Sequence, residues 1–200
     1  MSKIIIQQKY SFNDDEDLIN SGSFGQVISI KDKKVKTEYV LKKIIKSKTE
    51  LESFEKEIDF LINVKGTNII NIIDYYFDKN DKFYYIILEK MDGDLNKMLQ
   101  ENQNKMSSNM IRKIFKQLNS AFKIMIKEEK CHRDLKPDNI LYSYTNDDNT
   151  DFIVKLGDFG LSTDLYNTEL RSTDAELLFL KLQKLKMENI QILVIYIVLE

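Results

Sequence analysis

Apolar and polar residues alternate along much of the first 90 residues, which is typical of half-buried β-strands. Residues 15–31 predict a strand, a tight glycine-containing turn and a second strand. A third strand is predicted over Tyr39–Ile45, and two more around Ile69–Phe77 and Phe83–Leu88, with a polar turn between the last two. We therefore expect five strands in this part of the chain.

Helical spacing of apolar residues appears in two segments. In residues 50–63 the stripe consists of Leu51, Phe54, Ile58 and Leu61. Further along it consists of Ile111, Ile114, Phe115, Leu118, Phe122 and Met125, and the helix ends near Lys130. Short strands are predicted at Asn139–Tyr142 and Phe152–Leu156. The pattern predicts an α+β protein with two lobes: an antiparallel sheet plus one helix, then a helical lobe.

Composition narrows the class of protein. With 42% hydrophobic and 31% charged residues in 200, the chain is neither disordered nor of low complexity. Its formal net charge of −2 does not favour nucleic acid or an anionic membrane as the main partner. The single Cys131 cannot form an internal disulfide, and the first ten residues lack the apolar length of a signal peptide. We expect an intracellular, cytoplasmic protein.

Glycine and proline are scarce, with six and one in the chain, and they cluster beside polar residues. Gly22 and Gly25 form one cluster, and the only proline, Pro137, lies near the only histidine. Gly157 and Gly160 flank Asp158. Backbone irregularity next to chemically active side chains indicates function at these three places.

Two adjacent lysines interrupt the third predicted strand. Side chains alternate between the faces of a strand, so Lys42 shares a face with Val40 and Ile44, and Lys43 lies on the other. Since Val40 and Ile44 favour burial, Lys42 is expected on the covered face.

Over residues 15–170 these features occur in one order: Gly22, Gly25, Val27, Lys42, Glu57, His132-Arg133-Asp134, Lys136, Asn139 and Asp158-Phe159-Gly160. The order resembles the eukaryotic protein kinase family. The resemblance implies a two-lobed kinase-like fold with a small lobe over residues 1–91, an incomplete large lobe over 92–171 and a divergent tail over 172–200.

The resemblance also implies catalytic roles. Asp134 would accept or orient the proton of the substrate hydroxyl, and Lys136 would counter charge on the transferring phosphoryl group. Lys42 would contact the α and β phosphates of ATP while paired with Glu57. Lys136-Pro137 resembles the serine/threonine kinases, so the implied partners are ATP and a protein with serine or threonine hydroxyls.

Cofactor sites follow from the same resemblance. Asn139 and Asp158 would hold Mg²⁺. The implied nucleotide-binding residues are Asn20, Gly22, Gly25, Val27, Val40, Lys42, Leu88, Glu89, Met91 and Leu141. Asn20 stands where the family has its first glycine, and asparagine tolerates left-handed backbone better than most residues.

Several other residues receive structural or regulatory roles from the resemblance. His132 is expected to pack in the core with Phe159, Leu61 and Ile72 rather than act as a base. The presumed activation loop contains Ser162, Thr163, Thr168, Ser172 and Thr173 as phosphorylation candidates. Arg133 would pair with a phosphate added there.

The resemblance ends after about Arg171, because residues 172–200 contain no Ala-Pro-Glu anchor. If the codons from Ala175 onward are read starting at their third bases, the genetic code permits Gly-Thr, four further residues and Ala-Pro-Glu. In the kinase family this sequence ends the activation segment, so the tail resembles kinase DNA read out of frame. The apolar run at 192–199 is shorter than the roughly 20 residues of a membrane span. We expect a truncated serine/threonine kinase; the alternatives are a non-catalytic truncated kinase that at most binds nucleotide or a partner, and a kinase of small molecules.

Overall fold

The computed structural model describes residues 2–22, 25–49, 51–102, 106–160 and 162–164. These residues form two compact units. The first unit contains residues up to 62 together with 70–90, and the second contains 63–69 and the residues from 91 onward. The segment 63–69, assigned to the small lobe from sequence, therefore belongs to the second unit.

Within its described residues, the first unit is built from two helices and an antiparallel sheet. Its elements are α1 (Ser2–Lys9), β1 (Tyr10–Ser11), β2 (Leu18–Gly22), β3 (Gly25–Asp32), β4 (Glu38–Ile45), a 3₁₀ turn (Lys46–Lys48), α2 (Leu51–Asn63), β5 (Ile72–Tyr76) and β6 (Phe83–Glu89). The strand order is β1-β3-β4-β6-β5, and β2 also pairs with β3. The antiparallel sheet of the small lobe is confirmed.

Helix α2 covers one face of this sheet. Phe54, Ile58 and Leu61 are buried as predicted, and the Phe54 ring stacks on Tyr84 with centroids 4.4 Å apart. Leu51 was predicted in the same stripe but is 42% exposed, because it is the first residue of the helix. Burial of the remaining stripe holds α2 against the sheet.

Helix α1 covers the opposite face and was not predicted. Its sequence lacks a clear amphipathic stripe, because its apolar run is short. In the structure only Ser2 and Ile6 of this helix are buried. Ile6 and the following Tyr10 pack into a core cluster with residues of β3, β4 and β6: Ile28, Ile30, Leu41, Tyr85 and Ile87. The sheet is thus covered on both faces.

The second unit combines helices with short strands. Its elements are β7 (Gly93–Asp94), α3 (Leu95–Glu101), α4 (Ser108–Lys127), β8 (Lys130–Cys131), a 3₁₀ turn (Pro137–Asn139), β9 (Ile140–Tyr144), β10 (Phe152–Leu156) and β11 (Thr163–Asp164). Strand β9 pairs with β10 and with β7, and β8 pairs with β11.

Side-chain caps mark the starts of α3 and α4, the two helices among the described residues of this unit. The Asp94 carboxylate accepts from the backbone of Lys97 at α3, and the Ser107 hydroxyl accepts from Met110 at α4. Five of the six residues in the predicted α4 stripe are buried, and the sixth, Ile111, is partly buried. These contacts fix the scaffold that carries residues 131–160.

Some predictions fall outside the described residues. They concern Ser23 and Phe24 of the glycine turn, Thr168, Ser172 and Thr173 of the presumed activation loop, and the tail over 172–200.

Candidate active site

Lys42 and Glu57 form an ion pair in the first unit. Lys42 lies on β4 and its Nζ donates to Glu57 Oε1 on α2 at 2.7 Å. The Glu57 side chain is only 6% exposed and that of Lys42 is 22% exposed. A carboxylate this buried needs a charged partner, so the pair also fixes α2 relative to β4.

Three apolar residues predicted to contact nucleotide lie on the same sheet face as Lys42. Val27 is directly opposite Lys42 in the register of β3 and β4, and Val40 is opposite Leu88 in the register of β4 and β6. Opposed residues of antiparallel strands share a face, and so do residues two apart along one strand. Val27, Val40, Leu88 and Lys42 therefore share one face of the first unit.

The glycine turn is shaped by the close approach of two strands. Gly22 faces Gly25 at the end of the β2–β3 hairpin. A Cβ atom on Gly25, whose φ is +157°, would lie 1.8 Å from the carbonyl oxygen of Lys43 on β4. Asn20 lies in the extended strand β2 opposite Val27, so its tolerance of left-handed backbone is not used. Gly25 is thus required by packing, whatever else it does.

In the second unit, two polar side chains of the segment 132–139 donate to one carboxylate, that of Asp134. Asp134 Oδ2 accepts from Lys136 Nζ at 2.8 Å and from Asn139 Nδ2 at 2.9 Å. Asn139 Nδ2 also donates to the backbone oxygen of Asp134 at 2.8 Å. The 3₁₀ turn Pro137–Asn139 bends the chain so that residues five apart meet. The predicted catalytic residues of this segment are therefore brought together.

Negative charge surrounds the Lys136 ammonium group. Its pKa is raised above the usual value, first because it donates a hydrogen bond to Asp134, and further by the charges of Asp134, Asp158 and Asp138. Lys136 is therefore cationic at neutral pH, and Asp158 is close enough to act on it electrostatically.

Both backbone polar groups of Gly157, the residue before Asp158, are bonded by this segment. The Gly157 N–H donates to the Asn139 backbone oxygen at 2.9 Å, and His132 Nε2 lies 2.9 Å from the Gly157 oxygen. The Asp134 N–H donates to His132 Nδ1 at 3.3 Å, so Nε2 carries the ring hydrogen and is the donor to Gly157. These bonds tie Asp158 to the segment that carries Asp134 and Asn139.

The predicted burial of His132 beside Phe159 is confirmed, whereas its packing with Leu61 and Ile72 stays a prediction. His132 is fully buried, and its ring lies 4.9 Å from that of Phe159, measured between centroids. Arg133 and Asp158 adopt left-handed backbone conformations, with φ of 67° and 57°. Such conformations in non-glycine residues are costly, and they concentrate at functional sites.

Of the five activation-loop candidates, Ser162 and Thr163 lie within the described residues. The Ser162 hydroxyl donates to the Phe159 backbone oxygen at 2.7 Å. Thr163 lies in β11 opposite Cys131 of β8. This pairing joins the start of the presumed activation loop to the strand that precedes His132.

Lys43 and Asp14 form a second charged contact on β4 that was not predicted. Lys43 Nζ lies 3.3 Å from Asp14 Oδ2 and 3.2 Å from Gln26 Oε1, and its side chain is 8% exposed. It also lies over the Phe83 ring. Leu41 and Lys43 share one face of β4, and this alternation could have indicated that Lys43 is buried. The sequence did not predict α1, the helix that covers this face.

Three further features of the described residues bear on possible sites. The first unit has an open recess of about 440 Å³ lined by Phe12, Asn13, Asp17 and neighbouring residues, and none of the predicted site residues lines it. Among described residues, no three His, Cys, Asp or Glu side chains are grouped closely enough to hold a metal ion by themselves. No helix in the described ranges has the length and apolar character required to cross a bilayer.

Comparisons with known proteins agree with the order of these residues. The protein kinase domain model matches residues 14–180, which extends beyond Arg171. The chain is 34% identical to calcium-dependent protein kinase 4 of Plasmodium berghei over 152 residues, covering 73% of this chain and 28% of that protein. It is 32% identical to serine/threonine-protein kinase 33 of Bos taurus over 163 residues, covering 78% and 32%.

A third relative is a probable myosin light chain kinase of Dictyostelium discoideum, 34% identical over 163 residues, covering 78% of this chain and 39% of the relative. The chain thus spans about a third of the length of these curated relatives. The matched domain includes both the Lys42–Glu57 pair and the segment from His132 to Asp158. The chain belongs to the protein kinase family.

Proposed function

We propose that this chain binds ATP with Mg²⁺ and transfers the γ-phosphoryl group to serine or threonine hydroxyls of a protein. The observation that carries the proposal is the bonded cluster of Asp134, Lys136 and Asn139, to which Asp158 is tied through the Gly157 peptide. An acceptor for a proton, a fixed cation and two oxygen donors are the groups that phosphoryl transfer requires.

Nucleotide binding is assigned to the remaining site residues. Lys42, held by Glu57, supplies an ammonium group for the α and β phosphates. Val27, Val40, Leu88 and Leu141 supply apolar surface for the adenine ring, with the backbone of Glu89 to Met91 as hydrogen-bonding partner. Asn20 and Gly22 on β2 and Gly25 on β3 flank the turn whose backbone would approach the phosphates.

The donor atoms of the second unit fit Mg²⁺. Magnesium favours hard oxygen ligands and is usually held by one or two carboxylates together with substrate phosphates. Asp158 offers a carboxylate, and Asn139, whose amide nitrogen bonds Asp134, offers its side-chain oxygen. When bound, the ion would neutralise phosphate charge; the protein's part is to hold these two oxygen donors in place.

Asp134 and Lys136 act on the transfer itself. The substrate hydroxyl oxygen forms a bond to the γ-phosphorus while the bond from that phosphorus to the β–γ bridging oxygen breaks, and ADP leaves. The hydroxyl proton passes to Asp134 and then to solvent. Lys136, kept cationic by its raised pKa, stabilises negative charge on the phosphoryl oxygens.

Serine and threonine are the proposed acceptors. The pair Lys136-Pro137 supports this choice through the family resemblance. One of the three relatives described above is named a serine/threonine-protein kinase.

A second candidate function is nucleotide binding without catalysis. The observation that favours it is the absence of an Ala-Pro-Glu sequence from residues 172–200, where the family has the anchor of its substrate-binding segment. This candidate keeps Lys42, Asn139 and Asp158 in their proposed roles but removes phosphoryl transfer.

A paired assay on the full chain tests both candidates. Calorimetry measures ATP binding with and without Mg²⁺, and a second assay follows transfer of radiolabelled γ-phosphate to casein and to a serine peptide. Mg²⁺-dependent binding with transfer supports the kinase. Binding without transfer supports the second candidate, and a chain that is folded by circular dichroism but binds no ATP contradicts both.

A further inference from the structure

Strand β10 leads directly into Asp158, and its two edges are bonded differently. One edge pairs with β9 over all five residues, Phe152 to Leu156. The other edge is bonded by two side chains and a short piece of backbone from elsewhere in the second unit. The side chains are those of Asn68 and Gln117.

Asn68 lies in the segment 63–69 and is 8% exposed. Its Nδ2 donates to the Val154 backbone oxygen at 2.7 Å, and its own backbone oxygen accepts from the Leu156 N–H at 2.9 Å. The next residue, Ile69, forms a parallel bridge with Leu156. Asn68 therefore bonds β10 at two successive positions on its outer edge.

Gln117, on α4, bonds the same edge closer to its start. Its Oε1 accepts from the Val154 N–H at 2.8 Å, and its Nε2 donates to the Phe152 oxygen at 3.2 Å. Asn68 Nδ2 also donates to Gln117 Oε1 at 3.0 Å. A side-chain amide can donate and accept at once, so this one residue replaces part of a neighbouring strand.

Together the two residues satisfy a run of backbone groups that an edge strand would leave unpaired. These groups are the Phe152 oxygen, both polar groups of Val154 and the Leu156 N–H. Leu156 is two residues before Asp158, and Gly157 is itself bonded on both sides. A shift of β10 would therefore move Asp158 directly.

We propose that Asn68 and Gln117 are positioning residues that hold the Asp158 carboxylate where it can bind Mg²⁺. This inference rests on the metal role of Asp158 in the proposed function. Groups that orient metal ligands without touching the metal commonly change metal affinity about 10-fold or more when removed. A merely structural role for the two residues would instead lower stability and leave the Mg²⁺ dependence of nucleotide binding unchanged.

The test is the Mg²⁺ concentration that gives half-maximal ATP binding, measured by calorimetry on the full chain. In Gln117→Met the side chain keeps its length but loses both of its bonds to β10. We expect this concentration to rise about 10-fold relative to the wild type. Gln100→Met is the matched control, because Gln100 is an exposed glutamine on α3, and it is expected to match the wild type.

A second variant, Asn68→Ala, loses the two side-chain bonds but keeps the backbone bond to Leu156. We expect a smaller rise in the same concentration, about 3-fold. If Gln117→Met does not fold, this variant decides the question by the same measurement. Hydrogen exchange at the Val154 amide, which donates to Gln117 Oε1, should also be faster in Gln117→Met if that variant folds.

Failure of this inference differs from failure of the proposed function. If the wild type binds ATP with a Mg²⁺ dependence that the folded variants share within twofold, the positioning role is wrong and the proposed function stands. If the folded wild type shows no Mg²⁺ dependence at all, the metal role of Asp158 is wrong and this inference is overturned with it.

Discussion

Two lysine–carboxylate pairs, one in each unit, have nearly equal lengths but different surroundings. Lys42–Glu57 in the first unit measures 2.7 Å, and Lys136–Asp134 in the second measures 2.8 Å. Glu57 is 6% exposed, whereas Asp134 is 29% exposed and also accepts from Asn139. The distance alone would make the two pairs equivalent, whereas burial makes them different.

This difference in burial indicates how much stability each carboxylate loses when its lysine partner is removed. Without Lys42, Glu57 would remain as a charge with little access to water, which is costly. Without Lys136, Asp134 would keep the Asn139 amide and partial access to water. The first pair should therefore contribute to folding as well as function, and the second mainly to function.

The largest expected effect is that of Lys42→Met. We expect phosphoryl transfer to fall about 1,000-fold, because the phosphates lose their ammonium group. The free energy of unfolding should fall by about 3 kcal/mol, because the buried Glu57 carboxylate loses its partner. Kinase assays and urea denaturation measure the two effects.

The double variant Lys42→Met with Glu57→Gln separates the loss of activity from the loss of stability. Removing the stranded charge should recover most of the stability but none of the activity. If stability is not recovered, the buried carboxylate is not the cause of the loss.

Lys136→Met should reduce transfer about 100-fold, since one positive group near the transferring phosphoryl is lost. In contrast to Lys42→Met, the free energy of unfolding should change by less than about 0.5 kcal/mol. A stability loss as large as that of Lys42→Met would remove the distinction between the two pairs.

Lys43→Met tests the other face of β4. It removes a buried cation, but Asp14 keeps Lys3 as a partner, so we expect a stability loss of about 1 kcal/mol. ATP affinity should stay within about twofold of the wild type, measured by calorimetry. A large loss of affinity would show that the face covered by α1 also serves the nucleotide site.

The smallest expected effect is a pH dependence from Asp14. Burial raises the pKa of this carboxyl, but the hydrogen bond from Lys3 and the charge of Lys43 outweigh burial and hold the pKa below its usual range. A lowered folded-state pKa adds stability above the unfolded-state value of about 3.9, and this stability is lost as pH falls through the folded-state pKa.

Asp14→Asn removes that contribution. The stability difference between wild type and Asp14→Asn, measured by denaturation, should be constant at neutral pH and shrink as the pH falls below about 4. Asp15→Asn, a change at an exposed neighbour, serves as the control. A difference that persists at pH 2 would mean that Asp14 acts by packing rather than by charge.

The candidate site residues were predicted from the order of their motifs along the chain, which resembles that of the protein kinase family. The two-residue period assigned Lys42 to the face of Val40, and the structure places Glu57 against it. The segment from His132 to Asn139 is held by local bonds within five residues, so its sequence largely determines its shape. Phe152–Leu156 was also predicted with its observed ends.

The parts that were missed depend on contacts between residues far apart in sequence. Helix α1 has too few apolar residues to show a stripe, and the core that receives it is assembled from three strands. The bonds of Asn68 reach Val154, 86 residues away, and no local pattern marks them. Gly25 matched a phosphate-binding motif, yet its absence of a side chain is required by β4.

The most direct test of the account is the rate of γ-phosphate transfer by the full chain carrying Asp134→Asn. Wild type and Asp138→Asn, an exposed neighbour in the same turn, are the references. The account predicts transfer by both references and at least a 100-fold lower rate for Asp134→Asn, with ATP affinity unchanged. Equal transfer by Asp134→Asn and the wild type would contradict it.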